Sequence, residues 1–229
     1  MFVAERLITN NILVAHEMMT HISRKKKGKC GEMALKLDMS KAYDRVKWDC
    51  LQQIMKKIGL HDNWISIVMR CVTSVTYAVR INGQPYGKIH PSQGLRQGDP
   101  LSPYLFLIFA EGLSALLHQA IQRKKLIGVA ASIKGPKFSY LLFVDDNLIF
   151  GRATREEAAE IQRLLQVYEA SSSQQLNRNK TSLFFNLNTN EGIKDDVKTF
   201  FGAQVIKPHK SYLGLPFLVE RTNPIPLLT

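Results

Sequence analysis

Two adjacent aspartates, Asp145 and Asp146, stand between two apolar runs: Tyr140-Leu141-Leu142-Phe143-Val144 before them and Leu148-Ile149-Phe150 after. Short apolar runs bounded by turn signals are strand candidates. The segments around Ser139–Val144 and Asn147–Gly151 are therefore expected to pair as a hairpin with both carboxylates at its tip. Asp-Asp is a poor two-residue turn, because the favoured hairpin turns need Asn-Gly or Asp-Gly to reach positive φ. A third acid, Asp38, ends an alternating stretch, Met33-Ala34-Leu35-Lys36-Leu37, roughly a hundred residues earlier. Carboxylates gathered together repel unless a cation neutralises them, and hard divalent ions take oxygen ligands. A solvated acidic turn and a shared metal site both satisfy these residues.

The rest of the chain mixes helices with strands. Ile12, Ala15, Met19 and Ile22 recur at helical spacing, and the helix they predict runs into a basic loop, Arg24-Lys25-Lys26-Lys27-Gly28-Lys29. That loop reads as a solvated turn, a phosphate contact or a localisation signal. Leu51, Ile54, Met55 and Ile58 predict a helix closed by Gly59, and Asp62 could cap another reaching Val72. Tyr77, Val79 and Ile81 alternate up to Asn82-Gly83, a hairpin turn signal. A long apolar helix is expected from Pro100 to about Ile121. Thr154-Arg155-Glu156-Glu157 is a capping box ahead of Ala158, Ile161, Leu165 and Tyr168. The last strands are expected at Ser182–Asn186 and Tyr212–Phe217. The fold class that follows is α+β, an antiparallel sheet backed by helices.

Composition narrows the function classes. Lys and Arg number 31 against 19 Asp and Glu, a net charge of +12, so the surface either faces a polyanion such as nucleic acid or is simply solvated. Cys30, Cys50 and Cys71 form no CxxC pair, which points away from a disulfide framework and towards an intracellular setting, nuclear or cytoplasmic. The run Tyr104–Leu117 is broken by Glu111-Gly112 and reads as a buried helix, so no membrane partner is expected. His16-Glu17-Met18-Met19-Thr20-His21 imitates a zinc helix, but its second histidine comes one place late and falls on another face.

Five segments in order carry a family resemblance. Ala34-Leu35-Lys36-Leu37-Asp38-Met39-Ser40-Lys41-Ala42-Tyr43-Asp44-Arg45-Val46 resembles the first palm motif of the reverse transcriptases of non-LTR (LINE-type) retrotransposons, especially plant ones. Phe143-Val144-Asp145-Asp146 is similar to their aromatic-x-Asp-Asp box. Gly94-Leu95-Arg96-Gln97-Gly98-Asp99-Pro100 resembles the segment that contacts template and incoming nucleotide. Tyr168 through Asn177 to Lys180 resembles the fourth motif, and Tyr212-Leu213-Gly214-Leu215-Pro216 the primer grip.

The resemblance implies a polymerase palm, with a residual fingers helix and basic loop at 1–30, the palm at 31–190, and a primer-grip region with a truncated tail at 191–229. It implies an RNA-directed DNA polymerase that joins a dNTP to a DNA primer 3′-hydroxyl on an RNA template. Two Mg²⁺ ions, with Mn²⁺ able to substitute, would be held by Asp38, Asp145, Asp146 and the backbone carbonyl of Met39. Tyr43 would be an aromatic gate against the ribose 2′-hydroxyl, although a core aromatic is the other reading. Gln97 and Gly98 would meet template and nucleotide, and Leu213 and Gly214 would seat the primer end. Lys180 matches a lysine that protonates the leaving pyrophosphate, and a plain surface lysine fits it equally.

Some positions depart from the family pattern: Glu5 and Ser173 where Gly is usual, Val144 where Ala is usual, and Asn147 where a small hydroxyl is common. Most of the fingers, the thumb and an endonuclease are expected to lie outside the chain. An inactive relic that only binds nucleic acid is the alternative to an active enzyme. An RNA-dependent RNA polymerase, which shares an Asp-Asp hairpin, is disfavoured by Tyr43, Arg96-Gln97-Gly98 and Leu213-Gly214.

Overall fold

The structure, a computed structural model, describes residues 8–28, 30–132, 135–143, 146–205, 211–212 and 215–216. In chain order the elements are α1 (Ile8–Arg24), β1 (Glu32–Asp38), α2 (Trp48–Lys57), α3 (Asp62–Thr73), β2 (Tyr77–Ile81), β3 (Gln84–Ile89), α4 (Ser102–Gln122) and β4 (Val129–Ala130). They continue with β5 (Lys137–Phe138), β6 (Tyr140–Leu141), β7 (Asp146–Arg152), α5 (Arg155–Ser172), β8 (Ser182–Phe185), α6 (Glu191–Phe201), β9 (Gln204–Val205), β10 (Ser211–Tyr212) and β11 (Leu215–Pro216). The chain falls into two compact units: Met1–Met39 with Leu116–Leu165 and Leu176–Thr229, and Ser40–Ala115 with Gln166–Gln175. The expected α+β class holds.

The first unit is built on a five-stranded sheet ordered β6-β7-β1-β8-β9. Its pairings are antiparallel except for β8 with β9, which run parallel and depart from the all-antiparallel expectation. Strand side chains alternate between faces, and β1 is apolar on both. Ala34, Leu148, Phe150 and Phe184 pack with Ala15, Met18, Met19 and Ile22, so α1 covers one face with a stripe at helical spacing. On the other face Gly151 leaves room for α5: a Cβ there would stand 2.8 Å from Glu157 Oε2 and 3.8 Å from Ile161 Cδ1.

The second unit gathers α2, α3, the β2–β3 hairpin and parts of α4 and α5. Its core is a line of rings: Tyr43 stacks on Phe106 with centroids 4.7 Å apart, Phe106 meets Phe109 at 6.4 Å, and Phe109 meets Tyr168 at 6.3 Å. Leu51, Met55, Ile65 and Val68 of α2 and α3 are also buried. The β2–β3 hairpin is exposed at every residue. Helix α4, at 21 residues, is by length and composition apolar enough to cross a membrane. Its buried Leu105, Phe109, Leu113, Leu117 and Ala120 recur every three or four residues, as on the covered face of a core helix.

Several local expectations are adjusted. The cap of α3 is His61, whose ring accepts the Asn63 N–H at 3.2 Å, in place of Asp62. At α5 only half of the capping box forms. Thr154 Oγ1 accepts from Glu157 N–H at 3.3 Å, while the Glu157 carboxylate accepts from Arg152 N–H at 3.0 Å. Helix α6 was not expected, although Asn190 caps it and Gly202 closes it at φ 58°. The strand expected over Tyr212–Phe217 resolves into the short β10–β11 pair.

Candidate active site

Asp38 is the last residue of β1 and Asp146 the first of β7, and the antiparallel register sets them directly opposite each other. Opposed residues of an antiparallel pair project from the same face. Two lysines offset the two carboxylates: Lys36 Nζ lies 2.9 Å from Asp146 Oδ1, and Lys180 Nζ lies 4.0 Å from Asp38 Oδ2. The Asp38 and Asp146 side chains keep 26% and 30% of their surface, enough for a ligand to reach them.

The backbone around the pair is tied down. Asp146 N–H donates to Phe143 O at 2.9 Å, closing the turn between β6 and β7. The buried Asn147 clasps the same turn, its Oδ1 accepting the Phe143 N–H at 3.1 Å. Asn147 thus has a positioning task that a small hydroxyl could not reach across to perform. Beyond β1, Met39 bridges Leu176, and Asn177 N–H donates to Asp38 O at 2.9 Å. Lys180 N–H in turn donates to Asn177 O at 3.0 Å, so the turn carrying Lys180 is hung from the same strand end. Val144 and Asp145 lie outside the described residues.

Among the described residues, no group of three or more His, Cys, Asp or Glu could hold a metal ion. The donor chemistry nevertheless fits magnesium. Asp38 and Asp146 offer hard oxygens side by side, Asp145 adjoins Asp146 in the chain, and the neighbouring lysines show that this point of the sheet needs positive charge.

In the second unit the turn after β1 is stitched to the segment before α4. Gly94 N–H donates to Val46 O at 2.8 Å, Leu95 N–H to Tyr43 O at 2.9 Å, and Trp48 Nε1 to Gly94 O at 2.8 Å. Gly94, at φ 95°, is pressed so close that a Cβ would stand 2.9 Å from Asp44 O. Gln97 and Gly98 follow in an exposed turn, where Gly98 holds φ 86°. Asp99 then starts α4: Oδ1 accepts the Leu101 N–H at 2.9 Å and Oδ2 takes Arg96 at 2.6 Å. The Leu101 amide, and after it Arg96, hold this carboxyl below its usual range. Tyr43 is half-buried and stacked on Phe106, so it has the packing role that sequence left open beside the gate role. Gln174, nearly fully buried, donates from Nε2 to Ala42 O at 2.9 Å. Ser173 beside it sits at φ 62°, a left-handed backbone that explains why Gly is usual there.

Leu213 and Gly214 lie outside the described residues; Tyr212 and Leu215 on either side pair as β10 and β11. Three contributors went unassigned in the sequence: Lys36, Asn147 and Gln174. Lys36 carried a signal, being the one charged residue inside an otherwise apolar strand.

The chain is similar to several known proteins. The family model described as "Reverse transcriptase (RNA-dependent DNA polymerase)" matches residues 4–217. An uncharacterized mitochondrial protein of Arabidopsis thaliana is 52% identical over 66 residues, 29% of this chain and 54% of that protein. The retrovirus-related Pol polyprotein of the type-1 retrotransposable element R2 of Popillia japonica is 29% identical over 62% of this chain and 22% of its own length. The 149 kDa protein of transposon TX1 of Xenopus laevis is 30% identical over 65% of this chain and 11% of its own. The chain thus spans about half the length of the first of these relatives and less of the others. Among solved structures, telomerase of Candida albicans, in complex with a fragment of telomeric RNA, superposes with a TM-score of 0.58 at 16% identity, over 91% of this chain and 32% of that one. Apo telomerase of Candida tropicalis gives 0.57 at 14% identity, over 81% and 36%. Family match, sequence relatives and shared fold agree: the chain belongs to the reverse transcriptases, the RNA-dependent DNA polymerases.

Proposed function

We propose that the chain extends a DNA primer on an RNA template by two-metal nucleotidyl transfer, as the polymerase step of retrotransposition. The observation that carries this reading is the register that sets Asp38 opposite Asp146 at one end of the sheet. Asp38, Asp145, Asp146 and the Met39 carbonyl would hold the ions. Bound magnesium would supply activation of the primer 3′-hydroxyl and neutralisation of triphosphate charge. The lysine pairs support this assignment, because they hold charge balance at the carboxylates before any ion arrives. Lys180, with its ammonium at Asp38 and its side chain 70% exposed, is suited to pass a proton to the departing pyrophosphate. Tyr43 is the gate: a ring held flat against Phe106 is a fixed wall, and a fixed wall excludes a 2′-hydroxyl better than a mobile one. Gln97 and Gly98 meet template and nucleotide, and Leu213 and Gly214 receive the primer end.

The direct test is Mg²⁺-dependent extension of a DNA primer on an RNA template, with Asp145→Asn as the control. Extension by the wild type that is lost in the variant is the expected result. RNA binding with a steep salt dependence but no extension would instead select the binding-only relic. Thermal unfolding gives an independent readout. Mg²⁺ at ten times its dissociation constant should stabilise the wild type by about 1.4 kcal/mol, and Asp38→Asn by almost nothing.

A further inference from the structure

At the opposite end of β1 from Asp38 lies a cleft of about 940 Å³. It is formed by the end of α1, the basic loop after it, the β4–β5 hairpin and the end of β7. Arg24, Lys25, Lys137 and Arg152 line it, against only two carboxylates, Glu17 and Glu32. Glu32 is already engaged, bound by Lys25 at 2.5 Å and His21 at 3.2 Å. Arg24, Lys137 and Arg152 are exposed. The cations come from three separate stretches of chain and converge on one concavity, which a solvated basic face has no reason to do.

We propose that this cleft binds the phosphate backbone of single-stranded RNA, as a second nucleic-acid site separate from the carboxylates. Six residue steps along β1 put it about 20 Å from Asp38, too far to share a nucleotide with it. Its volume is at the upper end of the range for small-molecule sites, enough for a few nucleotides of one strand. The choice of RNA over DNA rests on the polymerase reading, since the unpaired part of a template would be the strand at hand. The charge convergence does not depend on that reading.

The test is fluorescence anisotropy with a labelled single-stranded RNA of about 30 nucleotides in magnesium-free buffer, where no catalysis is needed. Arg24→Gln, Lys137→Gln and Arg152→Gln combined should weaken binding tenfold or more near 0.1 M salt and lower the salt slope by about 2. Lys56→Gln, Lys57→Gln and Arg70→Gln, which remove the same charge from exposed positions on α2 and α3, should cost less than about threefold. If the triple variant unfolds, Lys137→Gln alone carries the test, with an expected slope change of about 0.7. Equal losses in the two triple variants, no measurable RNA binding by the wild type, tighter binding of DNA than of RNA, or binding to anionic lipid vesicles in place of RNA would each overturn the proposal. Primer extension that fails while cleft-dependent binding persists counts against the polymerase reading alone.

Discussion

The two ends of the β1–β7 pair make opposite choices of charge on the same face. At one end Glu32 faces Arg152; at the other Asp38 faces Asp146. Opposite charges across a strand pair stabilise it by roughly 0.2–1 kcal/mol, and like charges directly opposed destabilise it. The Glu32 end is what folding alone selects, and Lys25 and His21 add to it. The Asp38 end works against folding, and Lys36 and Lys180 only offset the repulsion. A like-charged contact kept in a solvent-accessible spot is one that a bound cation would relieve.

Substitutions that treat the two ends alike test this contrast. The largest effect is expected from Asp38→Asn or Asp145→Asn, which should slow primer extension at least a thousandfold, about 4 kcal/mol, while Glu32→Gln leaves the rate within about twofold. A Glu32 variant as dead as the Asp38 variant would erase the distinction. Next, Tyr43→Val should raise ribonucleotide over deoxynucleotide incorporation about tenfold or more, and an unchanged ratio would reduce Tyr43 to packing against Phe106. Glu32→Gln should then lower unfolding stability by about 1–2 kcal/mol in urea titrations, since Lys25 loses its charged partner and the bond to the His21 ring is weakened.

The basic end also carries a pH signature. Burial pushes the Glu157 carboxyl above its usual range, against the lowering effect of the Arg152 and Ile127 amides and of the Arg152 and Lys137 charges. An acid whose folded pKa is raised binds its proton more tightly in the folded state. Its stabilising contribution is therefore complete below the unfolded value and is lost as pH rises through the folded one. Melting temperatures of the wild type should fall relative to Glu157→Gln between pH 4.5 and neutrality; parallel curves would sink the assignment. The smallest effect belongs to Ser173→Gly, which should stabilise the fold by about 0.5–1 kcal/mol by relieving the left-handed backbone at φ 62°.

Much of this was legible from residue order. The alternation at Met33–Leu37 gave β1, Asn82-Gly83 gave the β2–β3 turn, and the acid-bearing runs gave the strands that meet at Asp38 and Asp146. The register itself was not legible, because a strand apolar on both faces carries no period to fix which partner residue it meets. Nor were the clasps by Asn147 and Gln174, since a buried amide finds its acceptor or donor only once distant segments converge. Helix α6 was legible and went unread: Ile193, Val197, Phe200 and Phe201 recur at helical spacing, and Asn190 and Gly202 mark both of its ends. At Ser173 the departure was visible in the sequence, but its physical content, a positive φ, needed the structure.

The central place of β1 has a consequence for how the chain is made. Its neighbours in the sheet are β7, starting at Asp146, and β8, ending at Phe185. Ribosomes add about 5–20 residues per second, so β1 waits on the order of 7–30 s after it emerges before both flanking strands exist. When that interval begins α1, which precedes β1, is already synthesised, and the Ala15–Ile22 stripe can shelter one side of the waiting strand. The first helix would then serve as a nursery cover in the nascent polypeptide.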